Sequence, residues 1–248
     1  MALDTNSLER LVPDLLDPAD TTGQETAKLH LARYEFAATH ARPGRLLDIA
    51  CGVGYGTRYL ADRRADVVAA LGADISEEAI AYARERYGND RVRFVAADAC
   101  RFSDTTGFDT IVSLETIEHL PDAERFVQQL ATLLRPGGVI VGSVPTTPSV
   151  DANPYHFRDF TERSFRAMFL RHGLAEIACF EQVQPFKVAP LLAKREARSK
   201  DLRSNLPLYY LSHPTSLVRR IWCTARHGFV NRYTTIAWKA PRDSSMEI

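Results

Sequence analysis

Leu46-Leu47-Asp48-Ile49-Ala50-Cys51-Gly52-Val53-Gly54-Tyr55-Gly56 is the stretch whose reading decides the fold. A short apolar run carries an acid and then turns through three glycines at alternate positions. Thr57 to Arg64 continue as a helix-like run. The pattern predicts a buried strand, a tight turn and the N-terminus of a helix. Glycine suits such a turn because its backbone reaches φ/ψ regions closed to other residues and lets a ligand come close. The helix start adds N–H groups without intrahelical partners and the positive end of a dipole.

Two ligand classes use a turn of this kind. One is a dinucleotide, whose pyrophosphate rests on the helix N-terminus. The other is S-adenosylmethionine (SAM), which carries no phosphate. A G-x-G-x-x-G spacing favours the first. Here the spacing is Gly52-x-Gly54-x-Gly56, with Asp48 just upstream, where a carboxylate can take an amino group. That spacing favours SAM over NAD(P).

Working outward, the same unit repeats. Val67–Ala73 reads as a second strand ending on Asp74, 22 residues after Gly52, where an acid can accept the hydroxyls of a ribose. Ser76 caps the next helix, with Glu77 and Glu78 in its first turn and an end near Tyr87. Val92–Ala97 and Phe108–Leu114 are strands three and four, followed by Asp98 and Glu115. A helix is predicted from about Asp122 to Leu134, then a turn at Arg135-Pro-Gly-Gly138 and strand five over Val139–Val144. Upstream, Thr22–His40 reads as a helix, and residues 1–22, broken by Pro13 and Pro18, as an N-terminal arm. Repeated β-α units with apolar strands predict an α/β fold, a doubly wound sheet buried on both faces. Ligands bind such sheets beyond the C-terminal strand ends, where Asp48, Asp74, Asp98 and Glu115 gather.

These motifs resemble the class I SAM-dependent methyltransferases. Asp48-Ile-Ala-Cys-Gly-Val-Gly54 matches the glycine motif, with Ala50 where glycine is common. Ala73-Asp-Ile-Ser76 is similar to the ribose-acid motif, Ala97-Asp98-Ala99 to the segment beside the adenine, and Leu134-Arg-Pro-Gly-Gly138 to the turn before strand five. The resemblance implies a seven-stranded Rossmann-like sheet with an antiparallel last strand, strand six at Ala175–Phe180 and strand seven at Tyr233–Trp238. It implies SAM-binding roles for Asp48, Ala50, Gly52, Gly54, Tyr55, Asp74, Ile75, Asp98, Ala99 and Glu115. Arg33 and Tyr34 are candidates to cover the SAM carboxylate, or simply pack. His30-Leu-Ala-Arg-Tyr34, Gly54-Tyr-Gly56, Glu115-Thr-Ile-Glu-His119 and Asn153-Pro-Tyr-His-Phe-Arg158 resemble bacterial enzymes related to the ubiquinone O-methyltransferases, many associated with sugar or glycan modification.

The acceptor chemistry centres on His119. An alcohol acceptor needs a base or a metal, since its hydroxyl is about as reluctant to ionise as water. Glu115, Glu118 and His119 have i, i+3, i+4 spacing and share a face if the turn is helical. With His156 they resemble the metal-binding quartet of the small-RNA 3′-terminal 2′-O-methyltransferases, which suits Mg²⁺, Mn²⁺ or Zn²⁺ and a vicinal diol. Both roles for His119, lone base and metal ligand, stay open. The leading expectation is O-methyl transfer to a small molecule, a sugar or glycan moiety. A quinone or phenol acceptor, a non-catalytic SAM-binding regulator and an NAD(P) oxidoreductase are the alternatives.

Bulk properties set the limits. The 248 residues suffice for one α/β domain, 23–248, with an elaboration. A formal net charge of zero gives no general case for nucleic acid or for a membrane surface. No apolar run reaches the ~20 residues of a membrane span. Cys51, Cys100, Cys179 and Cys223 form no C-x-x-C and read as reduced, mostly buried thiols of a cytoplasmic protein. Met1-Ala-Leu-Asp4 lacks the marks of a signal peptide. Residues 184–231 are too long for a connection. Lys187 to Arg232 hold ten Lys/Arg against two acids. Ala189–Ser204 and Leu217–Ala225 read as helices within it. This basic helical insertion is expected to be a solvated face, a cap over an anionic acceptor, or a contact with a second subunit in a homodimer.

Overall fold

The computed structural model describes residues 11–185, 203 and 205–242. Seven strands form one sheet in the order β3-β2-β1-β4-β5-β7-β6. They are β1 (Gly44–Ile49), β2 (Val67–Asp74), β3 (Val92–Ala96), β4 (Phe108–Leu114), β5 (Leu134–Pro145), β6 (Ala175–Pro185) and β7 (Val230–Lys239). The first five pair in parallel; β7 runs antiparallel between β5 and β6. The chain order reverses between β1 and β4, and this switch point opens a crevice at the strands' C-terminal ends.

Alternating side chains bury both faces of the sheet. Leu46, Val112, Val139 and Val141 pack under α1 (Thr21–His40), α2 (Tyr55–Arg63) and α3 (Glu77–Tyr87). Leu47, Ile49, Ile111 and Ile140 face α4 (Ala123–Leu133) and α5 (Glu162–Leu170). On that side Trp238 stacks on Phe169 at 3.7 Å, and Phe165 meets it edge-on. Ser76, Asp122 and Thr161 cap α3, α4 and α5 by accepting from backbone N–H groups one turn on.

Several sequence expectations shift. Arg135-Pro-Gly-Gly138 lies inside a longer β5, as an irregularity in its pairing with β4, with Gly137 at φ +74°. Strands β6 and β7 extend well beyond the apolar runs that mark them. They pair as a long hairpin down to Pro185 opposite Val230. Of the four free cysteines only Cys51 is buried; Cys179 is exposed. This corrects the expectation of mostly buried thiols. Cys179 lies on the terminal strand of the sheet, which no further strand covers among the described residues.

Within the N-terminal arm, Val12 packs against Val53 and Ala79, and Asp14 accepts from Arg86 Nε and Tyr87 Oη, each at 2.7 Å. The guanidinium of Arg86 draws the Asp14 pKa below the usual carboxylate range. The expected helix at Ala189–Ser204 lies, except for Arg203, outside the described residues. The rest of the insertion holds α6 (Leu206–Ser212) and α7 (Pro214–His227). Among the described residues no helix is long and apolar enough to cross a membrane.

Candidate functional site

The glycine turn uses its three glycines for different reasons. A Cβ on Gly54 would lie 2.5 Å from the Phe94 ring, and one on Gly56 would penetrate the Tyr34 ring at 1.8 Å. Those two glycines let α1, α2 and β3 close on the turn. A Cβ on Gly52 would meet nothing within 4 Å, yet its φ is +58°. The turn is therefore open on the Gly52 side. Ala50 also has a positive φ, 61°, the conformation that explains glycine's frequency there in the resembling family.

Asp74 closes this opening. Its Oδ2 accepts from Gly52 N–H and its Oδ1 from Ser76 N–H, both at 2.9 Å. A carboxylate has about four lone-pair sites, so two remain for hydroxyl donors. Ile75, next to it, is 74% exposed, an apolar shelf at the mouth of the crevice. Asp98 accepts from Cys100 N–H at 2.8 Å. Ala99 packs partly against the core beneath.

Asp48 faces the other way. It is buried, and its Oδ2 accepts from Thr57 Oγ1 at 2.6 Å and Tyr34 Oη at 3.3 Å. It ties the strand end to α2 and α1 instead of standing at the opening. Burial raises its pKa to about 7, against the pull of the two hydroxyls. The Tyr55 ring meets Tyr34 edge-on, and its hydroxyl lies 3.1 Å from His30 Nδ1. His30 thus helps to hold the turn.

Arg33 is a fully buried cation. Its Nε donates to Gln182 Oε1 at 2.7 Å, and its guanidinium lies over the Tyr233 ring at 4.3 Å. Its Nη1 stands 3.8 Å from Glu115 Oε1 and makes no hydrogen bond. Glu115 itself accepts from Ser143 Oγ at 2.8 Å and has a positive φ, 49°. Gln182 escaped the sequence reading because it lies in the polar extension of β6, and Ser143 because it is a lone hydroxyl in the apolar run of β5. Arg33, in the interior of α1, retains a donor suited to a carboxylate.

A second cluster lies past β4. Only Ile117–His119 form a helical turn there, and it is a 3-10 turn. Glu115 precedes it in the left-handed conformation, so the i, i+3, i+4 argument does not carry over to the structure. Glu118, His119 and His156 do converge, each with a ligand atom within 4.8 Å of the others, whereas Glu115 is turned to Ser143 and Arg33. A backbone bond from Phe157 N–H to the Glu118 carbonyl at 2.8 Å draws the 146–161 loop over the turn. The two imidazoles meet edge-on at 4.5 Å. His156 Nδ1 is 2.7 Å from Ser149 Oγ, which orients the ring. Burial and the neighbouring His119 lower the His156 pKa to about 3, so the ring is neutral, as a metal ligand must be. A carboxylate and two imidazoles fit Mn²⁺ or Zn²⁺ better than Mg²⁺, which prefers oxygen.

Comparison with known proteins agrees with this geometry. The family described as "Methyltransferase domain" matches residues 47–142. The chain is 29% identical over 177 residues to a probable S-adenosylmethionine-dependent methyltransferase of Mycobacterium tuberculosis, covering 68% of this chain and 61% of that protein. It is 28% identical over 187 residues to a ubiquinone biosynthesis O-methyltransferase of Leptothrix cholodnii, covering 73% and 72%. The chain thus spans about six-tenths of the length of the curated relatives it matches first. A putative methyltransferase structure from Bacillus halodurans shares the fold at TM-score 0.65 and 18% identity, over 85% of this chain and 98% of that one. The sheet order, the glycine turn and the acids at the strand ends are arranged as in nucleoside-binding α/β proteins. The fold is that of the class I SAM-dependent methyltransferases, and residues 47–142 match the methyltransferase-domain family.

Proposed function

We propose that this protein transfers a methyl group from SAM to a hydroxyl of a small molecule, a sugar or glycan moiety bearing two adjacent oxygens. The observation that carries the reading is the convergence of Glu118, His119 and His156 just past β4. On this reading Asp74 accepts the ribose hydroxyls, Ile75 and Asp98-Ala99 flank the adenine, and Arg33 Nη1 donates to the cofactor carboxylate. Bound SAM supplies a methyl group on a sulfonium, already electrophilic. The protein's own work is alignment, exclusion of water and removal of the acceptor proton. With no ion bound, His119 receives that proton on an imidazole nitrogen. A divalent ion held by Glu118, His119 and His156 would supply Lewis acidity to the acceptor oxygens.

A phenol or quinol acceptor is the second reading, favoured by the similarity to a ubiquinone biosynthesis O-methyltransferase. A phenol ionises near pH 10 and needs less help than an alcohol. Chelation separates the two. Treatment with EDTA should abolish transfer to a sugar diol, and Mn²⁺ or Zn²⁺ should restore it. Full activity after thorough chelation leaves His119 as a lone base, and turnover of a phenol under those conditions replaces the first reading with the second.

A further inference from the structure

The helix α7 is built inside out. Its inward side is polar: Arg220 donates from Nε to Asp151 Oδ2 at 2.8 Å and from Nη2 to the Pro148 carbonyl at 2.6 Å, with Cys223 and Thr224 half-buried beside it. Its outward side is apolar. Leu217, Val218, Ile221, Trp222 and Ala225 follow one another at helical spacing and are all exposed, Val218, Ile221 and Trp222 by 66%, 59% and 60%. An amphipathic helix of a soluble domain turns its apolar stripe to the core. Here the Arg220–Asp151 pair, with Arg219 Nη1 on Asp159 Oδ2 at 3.0 Å, fixes the opposite orientation. Apolar exposure continues onto α6 and past the helix end, with Leu211 79% and Phe229 71% exposed.

Charge identifies what covers this face. The segment from Lys187 to Arg232 has ten Lys/Arg and two acids, while the chain as a whole has 31 of each, so the remainder is acidic. On α7, Arg219 and Arg226 border the apolar stripe, and the Arg226 guanidinium lies over the Trp222 ring at 5.4 Å. Leucine, isoleucine and tryptophan on one face with arginine at its edge is the chemistry of a helix lying in a lipid headgroup layer. Basic residues beside it are drawn to anionic lipid.

We propose that α7 docks the protein on the surface of an anionic lipid bilayer, its outward stripe entering the headgroup layer. Among the described residues no helix is long and apolar enough to cross that bilayer. The inference is independent of the acceptor and of any metal.

The test uses the full chain with phosphatidylcholine vesicles with and without phosphatidylglycerol. Sedimentation with the anionic vesicles at low salt, and release at high salt, is expected. Trp222 should report entry by a blue shift, because the other tryptophan, Trp238, is in the core. The double change Val218→Glu, Ile221→Glu should lower the bound fraction about tenfold or more, and Arg226→Glu several-fold, without moving the melting temperature. No association with anionic vesicles overturns the proposal. So does a homodimer, seen by sedimentation velocity, that the double variant dissolves while vesicles are ignored, since a second copy then covers the stripe. Equal binding to neutral vesicles overturns the electrostatic part.

Discussion

Gly52 and Gly56 look alike in the sequence and are separated only by what stands next to them. Gly56→Ala drives a methyl into the Tyr34 ring, so it should destabilise the fold by about 1–3 kcal/mol, the usual cost of overpacking, read from urea or thermal midpoints. Gly52→Ala meets no atom, and its left-handed backbone costs only about 1–2 kcal/mol. It should instead fill the opening and weaken SAM binding in calorimetry far more than it lowers the midpoint. Equal losses of SAM affinity in both variants would show that Gly52 does not line the cofactor site. Asp48 offers a pH test. Its folded pKa near 7 lies above the ordinary carboxylate value of 3.8, so the folded state holds the proton that the unfolded state has lost. That contribution is present at acid pH and is lost as pH rises from about 4 through 7. Asp48→Asn should match the parent near pH 4 and exceed its stability by up to roughly 4 kcal/mol by pH 8, at about 1.4 kcal/mol per pKa unit. Parallel stability–pH curves would show that Asp48 ionises without penalty. The acids were legible as a set because they recur at strand ends. That Asp48 points inward and Asp74 outward was not, since one residue of register decides it.

The strands β1 to β5 were legible because each carries an apolar run suited to burial on both faces, and β1 to β4 each end at an acid or a glycine turn. The turn after β4 was not, since Glu115-Thr-Ile-Glu-His119 has helical spacing but folds only as a 3-10 turn over Ile117–His119. The left-handed Glu115 breaks it. The consequence is testable. Spacing alone makes Glu115 and Glu118 equivalent ligands; the geometry separates them. Glu118→Gln should lower Mn²⁺ affinity by about 10–100-fold or more, as should His156→Ala, while leaving SAM affinity near its parent value. Glu115→Gln should do the reverse, since its carboxylate neutralises the buried Arg33 and accepts from Ser143. Titration of Mn²⁺ and SAM against the purified variants measures both. Identical profiles for the two glutamine variants would restore Glu115 to the metal set.

At the scale of the molecule, the basic insertion leaves the sheet and returns to it at one point. Pro185 and Val230 are paired neighbours at the end of the β6–β7 ladder, so residues 186–229 interrupt what is otherwise a hairpin. Its length marked it as an elaboration in the sequence, but the place of departure was hidden because β6 and β7 run on past their apolar cores in polar residues. Replacing 186–229 by Asn-Gly should close that hairpin with a favoured two-residue turn. The core helices and the Gly52–Asp74 opening lie on other strands, so the trimmed protein should fold and bind SAM with little change. Transfer should nevertheless fail. Arg220 and Tyr210 hold Asp151, Arg219 holds Asp159, and Asp159 in turn accepts from Ser149 and Val150 N–H, so the insertion fastens the loop that carries His156. Without it Asp151, now buried against Arg220 with its pKa held low by that pair and by Tyr210, loses its counter-ion. The loop should loosen, and divalent-ion affinity should fall together with activity. Arg220→Ala in the full chain should reproduce part of this loss. Retained turnover in the trimmed protein would show that the loop holds His156 unaided and that the insertion serves only the outer surface.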